Sequence, residues 1–103
     1  MIFGFHKYVR QGEGNWGRIV YNIDGKWIRE GDSPIGRIAA NIDGDYIRKG
    51  DNPWGDILYN FDGLYLREGS SRVLGRIAMN IDGDWIKQGE STTMGKILYT
   101  LTD

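Results

Sequence analysis

The chain has 103 residues, a formal net charge of −1, 40% hydrophobic side chains and no cysteine. A chain of this length makes one domain, residues 1–103, that buries about 60–70% of its extended-chain surface. The lack of cysteine excludes disulfides, thiolate catalysis and cysteine zinc sites, and the 16 glycines punctuate hydrophobic runs at regular intervals rather than signalling disorder.

From the start of the chain, Met1 to Val9 lacks a basic segment followed by an apolar one. No run of about 18 apolar residues follows anywhere, so neither a secretory signal nor a membrane span is expected, and the location is cytoplasmic by default. His6 is the sole histidine, in an N-terminus expected to be mobile.

A repeat with a period of 19 or 20 residues then begins and takes up the rest of the chain. It starts as a half-repeat (7–12), continues through four whole copies (17–31, 36–50, 55–69 and 75–89) and ends as a half-repeat (95–101). Each whole copy opens and closes on glycine, as at Gly17 and Gly31, and a one-residue insertion falls in the loop around Ser70 and Ser71. Inside each copy, Asp24-Gly25, Asp43-Gly44, Asp62-Gly63 and Asp82-Gly83 separate two alternating runs. Asp-Gly between such runs predicts a hairpin on a type I′ turn. In the first whole copy that gives strand a from Arg18 to Ile23 and strand b from Lys26 to Glu30, with Ile23 opposite Lys26 and Asn22 opposite Trp27. Pro34 and Pro53 fall in loops, and no window has helical spacing.

One hairpin face is apolar: Ile19, Tyr21, Ile23 and Ile28 in the first whole copy, with Val9 and Leu101 contributed by the half-repeats. This is the predicted core. Trp16, Ile35, Trp54, Leu74 and Met94, each just before an opening glycine, are expected to fold over it. The fold class is therefore all-β: five tandem two-stranded hairpins in a closed pseudo-fivefold ring, with the two half-repeats pairing to close it. Closure removes sheet edges. An open hairpin solenoid and a ten-stranded meander barrel are the alternatives.

The other face carries three columns. One is aromatic: Tyr8, Trp27, Tyr46, Tyr65 and Trp85. One is basic: Arg10, Arg29, Arg48, Arg67 and Lys87. The third is Asn22, Asn41, Asn60 and Asn80, completed by Thr100. An aromatic ring, a guanidinium and an amide side by side can stack on and hydrogen-bond a sugar, or stack a base and neutralise a phosphate. Five copies would add weak sites into avidity. The same columns also suit cross-strand packing, or a second core beside Val20, Ala39, Leu58, Ala78 and Leu98 if the hairpins stack as blades.

Catalytic chemistry is poorly provided for. A serine triad would require His6. The carboxylate pairs Asp43/Asp45 and Asp82/Asp84 read as solvated turns, and they lack the ligand order and trailing Glu of a helix-loop-helix calcium site. No catalytic residue, metal site or cofactor is expected.

The segment from Tyr21 to Gly31 resembles the roughly 20-residue hairpin repeats of bacterial choline-binding modules, and also short hairpin-repeat proteins of gut and other bacteria. The first resemblance implies wall or quaternary-amine binding through aromatic cages between repeats. That family's Gly-Trp start and Trp-Tyr-Tyr run are missing here, and the arginine column would repel a cation. The expected function is a non-enzymatic binding module for a glycan or other anionic polymer. The alternative is a structural protein that self-associates as a homo-oligomer.

Overall fold

A computed structural model describes residues 2–103. It contains ten strands: β1 (Tyr8–Gln11), β2 (Ile19–Asp24), β3 (Trp27–Glu30), β4 (Ile38–Asp43), β5 (Tyr46–Lys49), β6 (Ile57–Phe61), β7 (Tyr65–Glu68), β8 (Ile77–Asp82), β9 (Trp85–Gln88) and β10 (Ile97–Thr102). Each strand pairs antiparallel with its neighbours in the chain, and β1 pairs with β10 from Tyr8↔Thr102 to Gln11↔Tyr99. The ring is thus closed by its half-repeats, and as a sheet it is a ten-stranded meander barrel. An open solenoid is excluded. The molecule measures 36 × 34 × 17 Å, a disc about as thick as one strand of five or six residues is long, roughly 17–20 Å.

The hairpin turns differ from the expected ones by one residue. Asp24 pairs with Trp27 and Ile23 with Ile28, so the two-residue turn is Gly25-Lys26 rather than Asp24-Gly25. Gly25 has φ 62°, and no described non-glycine residue has positive φ. That is the signature of a Gly-first type II′ turn, since type I′ would also place the preceding Asp in the left-handed region. Asp24 stays extended, and its carboxylate accepts from Arg29 Nε at 3.4 Å on the outer wall. Moving the turn by one residue shifts each cross-strand partner by two. Side chains alternate with a period of two, so the faces are unchanged.

Each b-to-a junction carries a β-bulge. Ile28 pairs with Ala40 and Arg29 with Ile38, which leaves Ala39 as the extra residue. Val20, Leu58, Ala78 and Leu98 hold the same position in the other copies. Bulges bend a strand and increase its twist, and one per repeat lets such short strands curl into a ring. They also turn the extra residue inward. Ala39, Leu58 and Leu98 line the bore, and Val20 packs on the core, so these residues do not build a second core beside the aromatic column.

The core is the inner wall. Val9, Ile28, Ile47, Leu66 and Ile86, one from each b strand, are buried together with Ala40 and Leu101. Eight strands enclose a bore that wall side chains just fill, and ten leave it wider. At the hairpin-turn end the N-terminal segment makes up the difference: Ile2 and Phe3 are buried beside Ile23 and Ile42. The expected mobile N-terminus is therefore a plug. His6 is fixed next to it, with Nε2 3.0 Å from Asp84 and Nδ1 3.2 Å from Asp103.

Trp16, Ile35, Trp54, Leu74 and Met94 do not cover the core. They are 87–96% exposed at the tips of the b-to-a loops. The loop backbones fold back over the outer wall, held there by the asparagine and arginine columns, and this turns the tips to solvent.

Candidate functional site

The second hairpin face is the outside of the barrel, and the structure places all three columns on it. The asparagines are its most buried members. Asn60 and Asn80 have no exposed surface, and Asn22 and Asn41 have very little. Each amide donates to two backbone carbonyls of the following loop. Asn22 Nδ2 reaches Gly31 O at 2.9 Å and Ser33 O at 3.0 Å. Asn41 reaches Gly50 O and Asn52 O, Asn60 reaches Gly69 O and Ser71 O, and Asn80 reaches Gly89 O and Ser91 O. In the fifth position the Thr100 hydroxyl donates to Gly12 O at 2.7 Å. With both donors engaged, the amides are clamps for the loops. The Oδ1 atoms of Asn60 and Asn80 are buried without a partner.

The basic column fixes the other end of each loop. Nη1 of Arg10, Arg29 and Arg48 donates at 3.0 Å to the carbonyls of Gly17, Gly36 and Gly55, and Arg67 reaches Gly75 O at 3.2 Å. Lys87 substitutes with a bond from Nζ to Thr92 O at 2.6 Å. Four of the five cations also pair with the acid that precedes the turn glycine: Arg29 with Asp24, Arg48 with Asp43, Arg67 with Asp62 and Lys87 with Asp82, at 2.9–3.4 Å. Arg10 has Thr102 in place of an acid and donates to its hydroxyl. Burial tends to raise the Asp62 pKa. Hydrogen bonds from the Tyr65 and Leu64 amides and from Arg67 outweigh it and hold the carboxyl below its usual value.

The aromatic column remains accessible. Tyr8, Trp27, Tyr46 and Tyr65 are half-buried, and Trp85 is 40% exposed. Cations lie over four of the rings: Lys26 over Trp27, Arg48 over Tyr46, Arg67 over Tyr65 and Lys87 over Trp85, 4.6–5.7 Å from the ring centres. Each contact contributes about 0.5–1 kcal/mol at an exposed site. Beside two of the aromatics, Trp85 and Tyr8, a cleft runs toward a loop. In one, Trp85, Asp82 and Asp84 face Glu13 and Asn15 across Thr100, enclosing about 530 Å³. In another, Tyr8 and Asp24 face Asp32 and Pro34 across Asn22, enclosing about 240 Å³. Both are floored by an aromatic and edged by carboxylates and backbone.

A second concavity lies on the barrel axis and was not visible in the sequence. It is an apolar recess of about 380 Å³ lined by inner-wall residues and by Tyr21, Tyr59 and Tyr99. The apolar column signalled a core, but only the ring's diameter decides whether that core fills. Burial first, then the neighbouring Tyr21 and Tyr59, push the Tyr99 pKa above that of an ordinary tyrosine.

The remaining carboxylates do not converge. Asp45 pairs with Arg72 and Asp43 with Arg48, and among the described residues no three His, Asp or Glu side chains meet as a metal site requires. No helix of the described residues is long and apolar enough to cross a membrane.

No curated protein and no solved structure matches the chain. A family described as "6-fold beta flower protein" does match, over residues 6–103. A closed wheel of hairpins whose loops fold outward fits that description in form, and with all but five residues matched, the chain belongs to the 6-fold beta flower protein family.

Proposed function

We propose that this protein is a non-enzymatic, multivalent carbohydrate-binding module whose sites are the clefts around the barrel's outer wall. One observation carries the reading. The aromatics recur in register along the outer wall, Trp85 at 40% is the most exposed member of the three columns, and Trp85 and Tyr8 each line a cleft beside carboxylates. Sugar rings present C–H faces to aromatic rings and hydroxyls to acceptors, which these clefts supply. An anionic polymer suits them less, because the guanidiniums of Arg29, Arg48 and Arg67 are committed to an aspartate and a loop carbonyl, and the clefts themselves are edged by acids.

The test is a glycan array followed by calorimetry on the best hit. Trp85→Ala and Trp27→Ala should each weaken binding about fivefold, as expected for losing one stacked ring worth about 1 kcal/mol. The melting midpoint should fall by no more than about 4 °C. Silence across neutral and acidic glycans, or binding indifferent to both substitutions, would sink the proposal.

A second reading rests on a separate observation, the five exposed apolar loop tips. Large apolar side chains this exposed, one in each b-to-a loop, suit association, and the partner that fits them is another copy of the same wheel.

A further inference from the structure

The two ends of the barrel are unlike. At the hairpin-turn end Ile2 and Phe3 fill the bore. Phe3 lines both the turn-end surface and the axial recess, so it separates the two. From Phe3 toward the loop end, the recess runs past the buried b-strand residues to Tyr21, Tyr59 and Tyr99. It ends among the bulge residues Ala39, Leu58 and Leu98. No described segment of the chain covers that end.

We propose that the axial recess binds a small uncharged amphiphile, with its apolar body in the bore and a hydroxyl-type head among the three tyrosines. The size fits, since small-molecule sites are clefts of about 300–1,000 Å³, mainly apolar with a few converging polar groups, and mouths of β-barrels are a favoured place for them. The chemistry fits as well. No charged side chain lines the recess, which disfavours an ion. Tyr21, Tyr59 and Tyr99 all line the recess, and burial followed by the two neighbouring phenols raises the Tyr99 pKa. Phenol hydroxyls both donate and accept, and so suit an alcohol or another phenol. This site is independent of the outer clefts, because its lining includes none of the outer aromatics.

The experiment uses the whole chain. N-phenyl-1-naphthylamine, an uncharged probe that brightens in apolar surroundings, is titrated into the protein and then displaced with straight-chain alcohols from hexanol to decanol. Ala40→Phe places a ring in the middle of the recess. Leu58→Phe narrows its loop end at a half-exposed position and keeps the experiment informative if the first variant does not fold. Saturable binding of one probe per chain is expected, with displacement by the alcohols. Affinity should fall at least about tenfold in each folded variant, because a filled recess has no room left for the probe, and stay unchanged in Trp27→Ala. No saturable binding, or binding that survives both filling substitutions, overturns the proposal. Loss in Trp27→Ala would likewise overturn it by moving the probe to the outer wall.

Discussion

Asn60 shows what a polar side chain does when the wall closes over it. It has no exposed surface, and its amide holds Gly69 O at 2.7 Å and Ser71 O at 3.1 Å. Asn60→Ala removes both bonds and strands carbonyls that water reaches poorly. The expected cost is about 2 kcal/mol, or a fall of roughly 10 °C in Tm for a domain of this size. Calorimetric melting of Asn60→Ala beside Trp85→Ala checks it, and equal midpoints would refute the clamp. The asparagine column was plain in the sequence, but its role was not. Periodicity says which face a residue occupies, and says nothing of a loop returning from 9 and 11 residues further on to sit over it. The same holds for Arg29 and Arg48, which read as ligands for an anion and are instead tied to Gly36 O and Gly55 O. Tyr8, Trp27, Tyr46, Tyr65 and Trp85 are the residues whose sequence-based reading remains open to a ligand.

At the scale of the element, the loop is the part that tolerates least. A Cβ on Gly36 would lie 2.4 Å from Glu30 O and 3.1 Å from Ser33 O, both backbone atoms. The Glu30 amide is itself bonded to Arg37 O at 2.8 Å, so the strand cannot move aside freely. Gly36→Ala should therefore cost about 1–3 kcal/mol, the usual range for overpacking. Gly14→Ala, whose nearest obstacle is 3.8 Å away, should be close to neutral. Urea denaturation reads this as a lower midpoint at constant slope for the first variant only; equal midpoints would show that the loop yields. The opening glycines were visible as a repeat, but the reason for them was not, because a close approach between backbones leaves no trace in hydropathy. The hairpins were legible near the turns, where an error of one residue moves partners by two, but not at the bulges, which turn Val20, Ala39, Leu58 and Leu98 inward and leave Ile19 off the core. The turn type was misread because Asp-Gly suits type I′ on local preference, whereas these Asp residues serve as acceptors for Arg29, Arg48, Arg67 and Lys87.

For the molecule as a whole, closure was written in the two half-repeats, and β1 and β10 pair as they required. The plug was not legible: Ile2 and Phe3 lie outside the repeat, and their burial depends on the width of the bore. Nor was the outward turn of the loop tips, which follows from the clamps beneath them. The family's description speaks of six-fold form, whereas this wheel has five hairpins. With one bulge and one clamp per unit, every joint is alike, and bore width follows unit number. The exposed tips of Trp16, Ile35, Trp54, Leu74 and Met94 predict association between wheels. Sedimentation equilibrium should give an average mass that rises with concentration, and Trp16→Ser with Trp54→Ser should lower it toward that of a single chain. A strict monomer at high concentration would end that reading.

The gap between the chain's ends occupies the position of a turn. Lys7 O accepts from Ile23 N just as Lys26 O accepts from Ile42 N and Asp45 O from Phe61 N, all at 2.7–2.8 Å. Lys7 thus stands where the other hairpins have the second residue of their turn. A gene rotated by one repeat, with its old ends joined and new ones opened at Gly25, would therefore encode the same wheel. It would lack only the segment that stops one end of the axle hole. Ile2 and Phe3 stopper one of two ends that the turns and the loops already make unlike.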